Sequence, residues 1–111
     1  MKKSIQNTSL KKQKTVLLID DNEIDNFINK KKLEHCGASN IITFTDTIDA
    51  LNYLKQVAYA PQLILLNSCL PIKNSIEFMD GLKKLEIAKH TINIFIFSAF
   101  VNPKDIELAL Q

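Results

Sequence analysis

Four short runs of aliphatic and β-branched residues, at 16–19, 40–44, 62–66 and 92–97, are separated by longer stretches with helical spacing. That alternation predicts βα repeats around a parallel sheet, an α/β fold in which four strands are present. The first and third runs are apolar without alternation, as expected of strands covered on both faces.

The spacing between the runs predicts three helices and the start of a fourth. In the second, Ala50, Leu51, Leu54, Val57 and Ala58 recur at i, i+1, i+4, i+7 and i+8 and form one stripe. Phe78, Met79, Leu82 and Leu85 repeat the device in the third, and both stripes read as core packing rather than ligand boxes. The first helix, residues 23–36, is less regular: Ile24, Phe27 and Ile28 gather on one side, Leu33 falls on the other, and lysines lie between. Asp46 with Asp49, and Asn74 with Glu77, place a capping side chain three residues before an acid, which predicts helix starts there. Asn102, Pro103 and Asp105 mark the start of the last helix, and Gly37 the stop of the first.

Length adds that 111 residues make one domain. Residues 1–14 are polar, hold five lysines and show no apolar period, so they read as a tail ahead of a domain at 15–111. An apolar fraction of 46% describes a globular chain, and a formal charge of +2 gives no argument for nucleic acid. Lys30, Lys31 and Lys32 read as a solvated helix face. Cys36 and Cys69 lack CxxC or His/Cys metal spacing and fit reduced thiols in a cytoplasm, the expected location. No stretch reaches membrane-spanning length, and the N-terminus lacks a signal-like apolar core, so no membrane partner is expected.

Candidate chemistry gathers where strands give way to helices. Asp20 and Asp21 end the first strand, Asn67 and Cys69 follow the third, and Ser98 follows the fourth. In a parallel sheet all would open on one edge, outside the carboxyl ends of the strands where α/β folds bind ligands. Paired acids suit a hard cation such as Mg²⁺. They equally suit a helix N-terminus, and spacing does not separate the two readings.

Three stretches resemble a known family. KTVLLIDDNEIDNFINK is similar to the opening of a two-component response-regulator receiver domain, LILLNSCLPIKNSIEFM to its third strand and following loop, and IFIFSAFVNPKDIELAL to its fourth strand and next helix. The resemblance runs from about Lys14 to Gln111. It implies a flavodoxin-like, doubly wound sheet of the CheY-like kind, with signalling proteins as partners: a histidine kinase or a downstream effector. It further implies that Asp20 and Asp21 match the Mg²⁺-binding acid pair, that Cys69 sits where a backbone carbonyl completes the coordination, and that Ser98 matches the hydroxyl that bonds the phosphoryl group. Asn67 falls where the family has its phospho-accepting aspartate.

Two features depart from the family pattern. An amide oxygen is a poor nucleophile without negative charge, so phosphotransfer at Asn67 should fail and Mg²⁺, with an anionic ligand gone, should bind weakly. Ser68, Cys69, Asn74 and Ser75 also differ from the usual residues, which favours natural divergence over a single engineered change. In addition, the family's fifth strand, with its lysine, and fifth helix are not among these 111 residues, so the fourth strand is expected to present an apolar edge open to a second copy. The expectation is a non-enzymatic pseudo-receiver acting through protein–protein contact. Two alternatives stand beside it: an orthodox phospho-acceptor in which Asn67 is an engineered or deamidated aspartate, and an enzyme or small-molecule binder using the same crevice. No Gly-rich phosphate loop or catalytic triad spacing supports the last. His35 and His90 lie near expected helix ends, where a dipole-favoured or solvated role is expected.

Overall fold

The computed structural model describes residues 15–89, 92–98 and 100–110. The expected tail at 1–14 and His90 lie outside them. Strands β1 (Thr15–Ile19), β2 (Asn40–Phe44), β3 (Leu63–Asn67) and β4 (Asn93–Phe97) form one sheet in the order β2-β1-β3-β4, all pairs parallel. Helices α1 (Glu23–His35), α2 (Thr47–Gln56), α3 (Ile72–Lys83) and α4 (Pro103–Ala109) make the connections, with a 3₁₀ turn at Glu86–Lys89.

Every residue of β3, and all of β1 after Thr15, is buried. Alternation divides these side chains between two cores. Leu17, Ile19, Ile64 and Leu66 point to one face and meet Ala50 and Leu54 of α2 and Phe78 and Leu82 of α3. Val16, Leu18, Leu63 and Leu65 point to the other and meet Leu33 of α1, Ile106 of α4 and Leu110 at the end of α4. Each such leucine contributes about 1.5–3 kcal/mol relative to exposure, and the two central strands contribute on both faces. This is the parallel α/β arrangement expected from the apolar runs, doubly wound and flavodoxin-like as the resemblance implies.

The stripes of α2 and α3 face inward as read, with Leu51, Val57, Met79 and Leu85 packed at the core's margin, except that Ala58 is exposed, because α2 ends at Gln56 and the helical period does not carry past it. Asp46 caps α2 by accepting from the Ile48 N–H at 2.6 Å, and Asn102 caps α4 by accepting from the Lys104 N–H at 2.9 Å. Gly37 has φ +94°, the left-handed conformation that ends a helix with little strain only in glycine.

One further expectation needs correction, and one irregularity finds its cause. Helix α3 does not start at an Asn74 cap. It starts at Ile72, because the Pro71 carbonyl accepts the N–H groups of both Asn74 and Ser75, at 2.9 and 3.1 Å, and closes the first turn directly behind buried Leu70. In α1 the apolar cluster is on the outside: Ile24 and Phe27 are 70% and 62% exposed, and the buried face is Asn26, Asn29 and Leu33.

That face is polar because it bonds backbone groups at the ends of β1 and β2 and in the segment ahead of α4. The Asn26 side-chain amide donates to the carbonyls of Asp20 and Phe44 at 3.0 and 3.2 Å, joining the ends of β1 and β2. Asn29 Oδ1 accepts from the N–H of Val101 at 3.0 Å, fastening α1 to the segment ahead of α4. Buried backbone groups demand such partners, so amides stand where leucines would otherwise pack.

Candidate functional site

Strand order reverses between β1 and β3: the chain leaves β1 toward β2, then returns across β1 to β3 and moves on to β4. The crevice at such a switch point opens at the carboxyl ends of the two central strands. Ile19 pairs with Leu66, which sets Asp20 beside Asn67, and Asn67 pairs with Phe97, so Ser98 lies one residue beyond that pair. The sheet therefore brings Asp20, Asn67 and Ser98 to one edge. Asn67 is the last residue of β3 rather than the first after it.

Asp20 and Asn67 are 2% and 3% exposed and bonded to each other: the Asn67 Nδ2 donates to Asp20 Oδ2 at 2.9 Å. The remaining acceptors are also engaged. Asp20 Oδ1 accepts from the Asn22 N–H at 3.0 Å, and Asn67 Oδ1 accepts from the Cys69 N–H at 2.6 Å. Burial pushes the Asp20 carboxyl above its ordinary pKa, opposed by the bond from Asn22 and reinforced by the negative charges of Asp25 and Asp21. Asp21, Cys69 and Ser98 are exposed around this pair.

The helix-cap alternative for the acid pair is resolved by the neighbouring residue. Asn22, not Asp20 or Asp21, is the N-cap of α1, its side chain accepting from the Asp25 N–H at 3.0 Å. Asp20 instead turns its carboxylate into the crevice, toward Asn67.

A divalent ion requires open anionic oxygens converging on one point. Among the described residues no group of three or more His, Cys, Asp or Glu side chains does so. With both Asp20 oxygens and Asn67 Oδ1 in hydrogen bonds, the residues fit Mg²⁺ only in competition with the amide that already neighbours Asp20.

The sequence reading overlooked Asn22 and Asn26, which hold the crevice floor. Their signal was present: Asn22, Asn26 and Asn29 recur at i, i+4 and i+7 on one helical face. Of the lysine run, Lys30 and Lys31 are exposed as expected. Lys32 is half-buried, with its Nζ 5.0 Å from the Phe100 ring centroid. His35 ends α1, exposed, where a basic group favours the dipole. Both cysteines are free thiols, and no described helix is long and apolar enough to cross a membrane.

A four-stranded parallel sheet in this order, with an acid and an amide joined at its switch point, defines a doubly wound α/β fold with a crevice at its strand ends. Solved structures narrow it. A response regulator receiver protein from Dyadobacter fermentans is 31% identical over 85% of this chain and 75% of its own, with a TM-score of 0.63. A two component response regulator from Cytophaga hutchinsonii is 28% identical over 82% of this chain and 72% of its own, with the same TM-score of 0.63. The receiver domain of a sensor histidine kinase from Pseudomonas aeruginosa shares the fold at 15% identity and a TM-score of 0.66, over 88% of this chain and 94% of its own; that protein has a magnesium ion coordinated in its active site cleft. No family model and no curated protein matches the chain. The chain belongs to the response regulator receiver family, a family of two-component signalling domains.

Proposed function

We propose that this receiver domain is a pseudo-receiver: a non-enzymatic module of a two-component phosphorelay that accepts no phosphoryl group and acts through contact with signalling proteins, a histidine kinase or a downstream effector, in the cytoplasm. The observation that carries the reading is the bond from Asn67 Nδ2 to Asp20 Oδ2. An aspartate at position 67 would set two carboxylates within hydrogen-bond distance and call for a cation between them. The amide satisfies Asp20 without one and offers phosphorus no anionic oxygen. Asp20, Asp21, Asn67 and the Cys69 position accordingly hold Mg²⁺ weakly, and Ser98 has no phosphoryl group to bind.

Exposed Ile24, Phe27 and Ile28, on the outer face of α1 beside the acidic edge, support a protein partner, since an apolar patch rimmed by charge is typical of interaction surfaces. The end of the sheet supports a second contact. Among the described strands β4 is outermost on its side, and Ile96 is 66% exposed, which suits pairing with another copy of the chain.

The test is incubation of purified protein with acetyl phosphate and Mg²⁺, followed by intact mass. The expected result is unmodified protein. A single acyl-phosphate adduct mapping to residue 67 would mean that the source protein carries an aspartate there, and the orthodox reading would replace this one.

A further inference from the structure

Beside β4 lies an apolar face on the α2–α3 side of the sheet. The register of β4 against β3 puts Ile94 and Ile96 level with Ile64 and Leu66, hence on that side, where Ile94 is half-buried and Ile96 stays exposed. Helix α3 flanks the same place. Phe78 and Leu82 turn into the core, and Gly81 lies against Leu51 of α2, which fixes the flank of α3 that α2 occupies. Ile72, Ile76 and Met79 take the opposite flank, over β4, and Ile72 and Ile76 are 76% and 55% exposed.

The placing of the helices leaves this face bare. Helices α2 and α3 form the layer on this side, whereas α4 packs beside α1 on the other, so no described α-helix stands over β4 here. Ile72, Ile76 and Ile96 together keep roughly 350–400 Å² of surface uncovered, the size of patches that mark contact sites. A standard interface takes about 800 Å² from each partner, a little over half of it apolar, so this face supplies most of the apolar area one stable contact needs.

Symmetry and charge identify the occupant. A two-fold axis normal to the sheet beside β4 runs two copies of that strand antiparallel, extends the open edge of each, and keeps both α2–α3 layers on one side. The same axis reverses α3 and sets patch against patch. Lys73 and Asp80, both exposed, flank Ile76 by three and four residues on one helical stripe. With the axis passing Ile76, Lys73 of each copy meets Asp80 of the other, so the face complements itself in charge as well as in apolar area.

We infer that the α3–β4 face is the interface of a symmetric homodimer, with antiparallel β4 strands at its base and the two α3 helices packed above them. It rests on the β4 self-contact proposed above and not on the inertness of Asn67.

The test is sedimentation equilibrium of the full chain and of charge-reversed variants. The parent chain should dimerise. Lys73→Glu and Asp80→Lys each create two like-charged pairs in the dimer and should each raise the dissociation constant about tenfold, the scale of two exposed ion pairs lost. An equimolar mixture of the two variants should regain the parental affinity as a heterodimer, because every pair across the mixed seam again joins opposite charges. Ile76→Ser, felt twice per dimer, should weaken association at least as much as either reversal. A dimer indifferent to these substitutions, or reversals that mixing does not repair, would overturn this inference and leave the β4 edge contact standing. A parent chain monomeric at every concentration would overturn both and leave the face to a different protein. None of these readouts involves phosphoryl transfer, so each outcome leaves the Asn67 reading intact.

Discussion

The side-chain amide of Asn67 donates to the carboxylate of Asp20 at 2.9 Å, across the crest of the two central strands. Both residues are buried, so the bond is formed out of water and each group depends on the other.

Replacing the amide by an acid should reverse that dependence. Asn67→Asp puts a second buried carboxyl against Asp20, and one of the two must protonate or find a cation. In EDTA at neutral pH the variant should lose about 1–3 kcal/mol of stability. Millimolar Mg²⁺ should then raise its melting temperature well beyond any effect on the parent chain. Denaturation in EDTA and in Mg²⁺ checks this, and a variant indifferent to the ion would count against the site's construction.

Helix α1 should be more sensitive on its polar side than on its apolar one. Asn29→Ala leaves the buried N–H of Val101 without its acceptor, and Asn26→Ala removes the donor shared by two carbonyls. Each should cost about 1–3 kcal/mol. Phe27→Ser, at an exposed position, should stay within about 0.5 kcal/mol. Urea denaturation of the three variants tests the ranking, and comparable losses for all three would contradict it.

The two thiols should separate in reactivity. Burial, with the negative charge of Glu107 nearby, pushes the Cys36 thiol above its ordinary pKa, and its Sγ–H lies 3.8 Å from the Pro103 carbonyl oxygen. Cys69 is exposed. At pH 8 iodoacetamide should label Cys69 first, because the thiolate is the attacking species. Raising the folded-state pKa means that the native protein holds its proton more tightly than the unfolded chain. Stability should therefore fall as pH rises from about 8.5, the ordinary thiol value, toward the higher native one. Peptide mapping of timed alkylations gives the order, and Cys36→Ser should flatten the alkaline limb of the stability profile.

Self-association, if β4 carries it, should respond to charge at its edge. Ile96→Lys puts a like-charged pair into any symmetric contact between two copies while leaving the core untouched, since Ile96 is 66% exposed. Sedimentation should show the parent chain associating with concentration and the variant shifted toward monomer. Identical sedimentation of an associating parent and the variant would remove β4 from the interface.

The layered fold was readable because its cause is local. Val16 to Ile19 and Leu63 to Leu66 are apolar at every position, which only a strand packed on both faces requires. The acidic edge was readable for the same reason, since Asp20 follows such a strand directly. What escaped depends on distant partners. Asn29 faces inward because of a backbone N–H 72 residues further along, and periodicity cannot register a bond of that span. The start of α3 was misplaced because Asn74 and Glu77 have the composition of a capping box, while the Pro71 carbonyl had already begun the turn. Asn67 is an anomaly of chemistry in the sequence alone. Its bond to Asp20 needed the register of β1 against β3 to be seen.

Because α1 is fastened from beneath by two amides and one leucine, its outward surface contributes almost nothing to holding the domain together. Ile24, Phe27 and Ile28 can therefore drift under selection for a new docking mate without endangering the scaffold, so loyalty to a partner and the ability to fold are inherited as separate traits.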